Sequence, residues 1–314
     1  MGPRLQRSIL ILAMNDIPDD QNEPIQIERL AAQRYLYSCS KRLLLIQLVL
    51  GGPIAIVWSF LVLQYPHLKD VAAAWGFFVF LLNVLLVDGY QKSWQERAAK
   101  IQELFDCEVL KLPWNTIKVG SRPIPEEVHE NAAKYFQRET SAPALKDWYP
   151  TKVGRLPLPV ARIICQRTNC WWDARQRKRY AQCIAGVAVV VVGGLFWVAF
   201  AAGMTLPNLI LKVIAPALPI IGLSVRQWKD QRSAVSRLEA LHSHANSLWA
   251  QALQGVDDET LTHASRQLQD EIFSSRKFNP PVFDRLYKLL QPESEVEMNR
   301  SAADFVDEWQ HRNN

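Results

Sequence analysis

Two long apolar blocks, residues 42–88 and 181–224, constrain the fold of this chain more than any other sequence feature. The rest of the sequence is charged and polar. A soluble core spreads its apolar residues over many short amphipathic segments, whereas a helix that crosses a bilayer needs about 17–25 mostly apolar residues in a row. The blocks therefore predict an integral membrane protein of the mainly α class, with substantial polar parts outside the membrane.

Each block is long enough for two spans with a short turn between them. The first block predicts spans at about residues 43–63 and 71–87, and the second predicts spans at about residues 183–204 and 206–223. Short connections make neighbouring helices antiparallel. The sequence therefore predicts four transmembrane helices in two hairpins, joined to mostly helical regions between spans two and three and after span four.

Basic residues indicate how the spans are oriented. They flank the start of span one at Lys41 and Arg42, the start of span three at residues 175–179, and the end of span four at Arg226 and Lys229. Positive residues mark the cytoplasmic side of a membrane protein. We therefore expect both termini to be cytoplasmic. The predicted division is a cytoplasmic amino-terminal segment (1–41), hairpin one (42–88), a cytoplasmic region (89–180), hairpin two (181–224) and a cytoplasmic carboxy-terminal region (225–314).

Outside the blocks, apolar residues recur at helical spacing in four segments. These segments predict helices over about residues 24–40, 90–105, 126–138 and 225–253. The first begins with a proline, which suits the first position of a helix, and is expected to continue into span one. Residues 109–114 are a short apolar run that predicts either a strand or an extended packing segment.

Several polar or helix-bending residues lie inside the predicted spans, where polar groups are costly. They predict a pore or a gate, because prolines kink helices and an amide can face water. The alternative is that the amides hold neighbouring helices together and that the lysine reaches the interface with its long side chain. The candidate pore or gate residues are Gln47, Pro53, Asn83, Lys212, Pro216 and Pro219.

The sequence contains no common catalytic fingerprint. It has no P-loop, dinucleotide-binding glycine motif, HExxH pair or nucleophile elbow. Its five cysteines form no CxxC pair and its six histidines are scattered, so no metal site is predicted. The net charge of +5 is concentrated beside the apolar blocks, where it orients the spans. We therefore expect no enzyme activity, no cofactor and no DNA partner.

Four sequence segments lie in a fixed order around the two apolar blocks. They are ERLAAQRYLY (28–37), AAKIQELFDC (98–107) leading to LPWN (112–115), RTNCWWD (167–173), and QDEIF (269–273) with Arg276, NPP (279–281) and Tyr287. In these segments and their order the chain resembles the four-transmembrane effectors that are associated with bacterial SMODS-type nucleotidyltransferases, the S-4TM family. The resemblance covers most of the chain, from about residue 21 to residue 303.

The resemblance implies a role in cyclic-oligonucleotide antiphage signalling (CBASS). A partner nucleotidyltransferase would make a cyclic di- or trinucleotide, and this chain would sense it, form a homo-oligomer and permeabilise the inner membrane. The alternatives are a membrane scaffold that recruits a cytosolic partner without forming a pore, and a membrane enzyme or small transporter. An intact membrane in arrested cells would favour the scaffold.

Arginines beside paired tryptophans, in residues 162–180, suggest where a nucleotide could bind. Aromatic faces stack on bases and guanidinium groups hold phosphates. The alternative is an interfacial tryptophan belt with the usual basic flank of a span. The candidate residues for ligand binding or gate coupling are Arg167, Trp171, Trp172, Arg175, Arg276 and Lys277.

Overall fold

A computed structural model describes residues 14–139, 145–210 and 214–313 of the chain. Across these ranges the chain is helical and contains no strand. The helices are α1 (Ile17–Asp20), α2 (Pro24–Gly51), α3 (Pro53–Gln64), α4 (Lys69–Leu82), α5 (Asp88–Val109), α6 (Thr116–Val119), α7 (Pro125–Phe136), α8 (Leu158–Ala201), α9 (Leu206–Leu209), α10 (Ala215–Leu253), α11 (Asp258–Phe278) and α12 (Asp284–Asn313).

The predicted helix positions are confirmed at several points. Pro24 is the first residue of α2, which runs without a break into the first apolar block, as predicted. The next helix, α3, begins at Pro53, because proline has no backbone N–H to continue the hydrogen bonding of α2. The run at residues 109–114 is not a strand. Instead, the buried Leu110 and Leu112 belong to an irregular segment that packs on the core.

Within the part of the chain that the structure describes, two helical runs are long and apolar enough to cross a membrane. Pro66–Val109 joins a 3₁₀ turn, α4, a π-helical turn and α5, and Leu158–Ala201 is α8; each has 44 residues. At 1.5 Å per residue, each extends about 66 Å, twice the thickness of a hydrocarbon core. The first run contains predicted span two, and the second contains predicted span three up to Ala201, three residues before its predicted end. Spans one and four stay predictions, since α3 has 12 residues and residues 211–213 lie outside the described part of span four.

Burial changes sharply along α8. Ile164 and Cys170 are 1% exposed, whereas Val189 and Trp197 are 72% and 71% exposed. Apolar side chains at this exposure in water would be strongly unfavourable, and a lipid environment removes that cost. The part of α8 after about residue 181 is therefore the membrane-associated part.

The described parts of the chain outside the two apolar blocks form what we call the helical body, residues 14–41, 89–139, 145–180 and 225–313. Its core is formed by α2, α5, α7, α8, α10, α11 and α12, with Leu30, Phe105, Ile164 and Leu268 all at most 2% exposed. Tyr149 stacks on Phe105 with ring centroids 6.0 Å apart. This core holds together segments far apart in the sequence.

The amino-terminal segment holds the loop that precedes α8. Asn15 Nδ2 donates hydrogen bonds of 2.8 Å to the carbonyls of Val153 and Leu156. Gly154 packs against Pro18 so closely that a Cβ there would lie 2.8 Å from the proline ring, so only glycine fits. These contacts fix the position of the adjacent aromatic residues 148 and 149.

Candidate ligand-binding cavity

The helical body contains a partly open cavity of about 300 Å³. Its walls come from α2, α5, α7, α8, α10 and α11 and from the segment that follows α11. Lining residues on α2, α5 and α8 lie within about two turns of the points where these helices enter the apolar blocks. Small-molecule sites usually have volumes of about 300–1,000 Å³, so this cavity is at the lower end of that range.

Four aromatic side chains from four different parts of the chain line the cavity. They are Tyr37 on α2, Tyr135 on α7, Trp148 in the loop before α8, and Trp172 on α8. The guanidinium carbon of Arg34 lies 5.6 Å from the ring centroid of Trp148. The cavity therefore offers aromatic faces next to a cation, which suits a flat ring attached to an anion.

The lining residues have an excess of positive charge. Four cations and two carboxylates lie on the walls. Their partial burial strengthens electrostatic interactions relative to bulk water. The cavity therefore favours an anionic ligand. The lining charges are those of Arg34, Lys41, Arg177, Arg276, Glu139 and Asp173.

Arg276 is held at the cavity wall by a buried polar network. It donates to Asp106, whose side chain is fully buried. The hydroxyl of Tyr149 donates to Asp106 Oδ1 at 2.7 Å, Gln269 Nε2 donates to Asp106 Oδ2 at 2.7 Å, and Asn169 Nδ2 donates to the Tyr149 hydroxyl at 3.2 Å. Burial opposes the charge of Arg276, but the Asp106 carboxylate outweighs it and raises the pKa of the arginine.

A second buried carboxylate, Glu103, lies one helical turn before Asp106. It accepts hydrogen bonds from Arg266 at 2.6 Å and from Gln269 at 2.9 Å. Burial and the nearby Asp106 charge raise the pKa of Glu103. Arg266 also pairs with Asp270 at 2.9 Å. This network joins α5 to α11, and it fixes the position of the arginine that lines the cavity.

Arg177 is the second arginine with little exposure on the wall. Its Nε lies 2.8 Å from Asp173 Oδ1, and its Nη1 donates to Gln231 Oε1 at 3.0 Å and to the Pro280 carbonyl at 2.5 Å. These partners lie on α8 itself, on α10 and in the segment after α11. An anion in the cavity would therefore compete with protein acceptors for this guanidinium.

Two of the six predicted ligand residues line the cavity. Trp172 and Arg276 lie on its walls, 104 positions apart in the sequence. Lys277, the neighbour of Arg276, lies outside the lining and forms an ion pair of 2.9 Å with Glu96 on α5. Ligand binding by these residues stays a prediction. The cavity brings Trp172 and Arg276 onto the walls of one site.

The other three predicted residues lie on a different face of α8. Arg167 lies 4.4 Å from the ring centroid of Phe305 on α12. Arg175 forms a two-pronged ion pair with Glu297 on α12, and it also lies 5.1 Å from the ring of Trp171. The structure therefore places Arg167, Trp171 and Arg175 outside the cavity lining. Arg167 and Arg175 contact the carboxy-terminal helix α12, and Trp171 lies beside Arg175.

Several residues that line the cavity were not predicted as ligand residues from the sequence. Arg34 and Tyr37 lie in the 28–37 segment that carries the family resemblance, and their spacing of three places them on one face of α2. Arg177 belongs to a basic cluster with an ordinary role in orienting a span. Trp148 lies in a segment without helical periodicity, so no local pattern indicates that it faces a cavity.

Two of the predicted pore or gate residues make specific features in the structure. Gln47 Nε2 donates to Asp88 Oδ1 at 2.7 Å, which connects the apolar part of α2 to the start of α5. Asn83 begins the π-helical turn Asn83–Val87, and its buried side-chain oxygen has no hydrogen-bond partner. Such turns often mark functional sites. Gln47 therefore fits the alternative in which an amide holds neighbouring helices together. Asn83 is compatible with that alternative and with a pore.

The prolines stand at the ends of helical segments or inside one. Pro53 begins α3, Pro216 is in the first turn of α10, and Pro219 lies one turn further on. Lys212 lies outside the described residues. Within the described ranges, no three His, Cys, Asp or Glu side chains come together as a metal site.

Comparison with known proteins gives the family of this chain. Residues 15–305 match the family described as the SMODS-associating 4TM effector domain. A relative from Bacillus cereus (strain VD146), named "Probable CBASS effector molecule", is 25% identical over 280 residues, which cover 88% of this chain and 90% of the relative. No solved structure matches. Because the match covers nearly the whole length, this chain belongs to the SMODS-associating 4TM effector family.

Proposed function

We propose that this chain is the membrane effector of a cyclic-oligonucleotide antiphage system. It binds a cyclic nucleotide that a partner nucleotidyltransferase makes, oligomerises and permeabilises the bacterial inner membrane. The family description and the name of the Bacillus relative support a CBASS effector in antiphage defence. The two apolar helical runs support action at a membrane.

The cavity is the observation that carries the proposed ligand. It combines four aromatic rings with arginines of low exposure, and it lies close to the points where helices continue into the apolar blocks. Bases stack on aromatic faces at about 1–3 kcal/mol per base, and guanidinium groups hold phosphate oxygens with two hydrogen bonds. Binding, without chemical conversion of the nucleotide, is therefore the proposed task.

Size and charge favour a cyclic dinucleotide over a larger ring. The volume of about 300 Å³ is small for a ligand site. The four lining cations outnumber the two lining carboxylates, and the buried Asp106 behind Arg276 reduces this excess to about one positive charge. Such a small excess suits the ring with fewer phosphodiesters. A cyclic trinucleotide carries a third base and a third phosphate, and both would need space outside this cavity.

Oligomerisation follows from the requirement for a water-filled path. A chain with at most four predicted spans has few helices with which to surround such a path, so several copies are needed. The exposed apolar residues of the helical runs, such as Phe77 and Phe200, offer surface for contacts with lipid or with a second copy.

The proposal is tested with purified protein in liposomes that contain a fluorescent dye. Cyclic di-AMP, cyclic di-GMP, cyclic GMP–AMP and cyclic tri-AMP are added separately, with a linear AMP dinucleotide as the control. We expect one cyclic dinucleotide to bind with calorimetric saturation and to release dye, and the linear control to do neither. Binding without release in vesicles with confirmed insertion would contradict pore formation and favour the scaffold. Absence of binding by all four would contradict the proposed ligand class.

A further inference from the structure

The segment from residue 276 to residue 281, which we call the junction, is a wall of the cavity and also a meeting point of three long helices. Arg276, Asn279 and Pro281 of the junction line the cavity. The junction includes the end of α11 and the two prolines after it. Since prolines have no N–H and cannot continue the helix, the carbonyls here are left as acceptors for side chains from elsewhere.

The first helix attached to the junction is α5, which follows predicted span two (residues 71–87). Gln95 on α5 is 7% exposed. Its Nε2 donates to the Asn279 carbonyl at 2.6 Å and to the Arg276 carbonyl at 3.1 Å. One amide thus joins the helix after the second predicted span to the junction.

The second and third helices are α8 and α10, which the junction joins through two buried side chains. Arg177 on α8 donates to the Pro280 carbonyl and to Gln231 on α10. Gln231 is fully buried, and its Nε2 lies 3.2 Å from the Pro281 carbonyl and 3.4 Å from the Pro280 carbonyl. Arg237 on α10 adds a 2.8 Å hydrogen bond to Asn279 Oδ1.

Each attachment lies close to an apolar segment. Gln95, Arg177 and Gln231 are all six to eight residues from the predicted ends of spans two, three and four, which is about two helical turns or roughly 9–12 Å. A helix of this length transmits a displacement at its attached end because it is stiff. A shift of the junction therefore reaches three predicted spans together.

We propose that the junction holds the resting arrangement of the spans and that an anionic nucleotide releases it by taking the Arg177 guanidinium from Gln231 and Pro280. This inference rests on the proposed ligand site, and it assigns Gln95, Gln231 and Arg237 as positioning residues. Gln231 and Arg237 do not line the cavity, so their role can be separated from ligand contact.

The test replaces Gln231 with methionine, which keeps the length of the side chain and removes its hydrogen bonds. Gln251→Met on the exposed surface of α10 is the matched control. Dye release from liposomes is measured without any nucleotide, and amide hydrogen exchange of residues 276–281 is measured on the same protein. We expect Gln231→Met to raise both rates by roughly fivefold, as the loss of about one hydrogen bond predicts, and Gln251→Met to change neither.

Arg237→Met is the second variant, because a fully buried glutamine can be needed for folding. The side chain of Arg237 is exposed, so water weakens its hydrogen bond to Asn279 more than it weakens those of the buried Gln231. We therefore expect Arg237→Met to raise nucleotide-free dye release by about twofold. Faster exchange in the junction with dye release at the wild-type level in both variants would overturn the inference. Release from Gln231→Met vesicles, together with wild-type protein that binds no nucleotide of the panel, would uphold the junction and refute the proposed ligand.

Discussion

The two faces of α8 within the helical body carry the same kinds of side chain but have different surroundings. One face presents Arg167, Trp171 and Arg175, and α12 of the same chain supplies partners for both arginines. The other presents Trp172 and Arg177 to the cavity. Successive residues of a helix are rotated by about 100°, so two adjacent tryptophans have different environments.

This difference shows that residue type alone does not identify a binding surface. An arginine beside a tryptophan is equally suited to hold a phosphate or to fasten a helix. The cavity face remains accessible because α2, α5 and α11 converge around it without filling it. The opposite face is covered, so its arginines contribute to packing of the carboxy-terminal helix.

The largest effect is expected behind the cavity face, at Arg276. Arg276→Met leaves the fully buried Asp106 without its cationic partner, and removing one member of a buried ion pair typically costs about 3–5 kcal/mol. We expect a loss of this size in the free energy of unfolding, measured by denaturant titration in detergent.

Lys277→Met is the neighbouring control for Arg276→Met. Its ion pair with Glu96 is partly exposed, with side-chain exposures of 26% and 37%, so a cost of about 1 kcal/mol or less is expected. The double variant Asp106→Asn with Arg276→Met should recover part of the loss, because no unpaired charge remains. Equal costs for the two single variants would show that Arg276 is not held by a buried pair.

A smaller effect, confined to binding, is expected from Trp172→Ala compared with Trp171→Ala. Loss of one base–aromatic stack costs about 1–3 kcal/mol, so the affinity for the activating cyclic dinucleotide should fall by about 5- to 150-fold with Trp172→Ala. Trp171→Ala should change it by less than about threefold. Calorimetry on both variants, with unfolding curves to check folding, measures this. A larger loss with Trp171→Ala would place the ligand on the α12 face.

Much of the fold could be predicted because it depends on local patterns. The proline at residue 24 and the periodicity of residues 126–138 and 225–253 predicted helices that are confirmed as α2, α7 and α10. The bounds of α7 shift by a residue or two, and α10 begins earlier than predicted, at Ala215 inside the second apolar block. These signals are read from a few neighbouring residues at a time.

The cavity could be predicted only in part because it depends on distant residues. Arg34 and Arg276 are 242 positions apart, yet both line it. Trp172 was predicted as a ligand residue because it lies among arginines in residues 162–180, and Arg276 belongs to the fourth segment that carries the family resemblance. The partner of each arginine, which is Asp106 behind the cavity for Arg276 and Glu297 on α12 for Arg175, is set by tertiary packing that no local pattern contains.

The smallest effect is expected on the covered face, from Arg175→Met. This change removes the ion pair with Glu297, whose side-chain exposure of 43%, against 24% for Arg175, means that water and salt screen it. We expect amide hydrogen exchange in residues 296–313 to rise by about two- to fivefold at low salt and by less at high salt, with nucleotide affinity unchanged. Lys178→Met, an exposed cation three positions further on, is the control and should leave exchange in α12 unaltered. Since the arginine fastens α12 and does not contact the cavity, a loss of nucleotide affinity with unaltered exchange in α12 would reverse the assignment of the two faces.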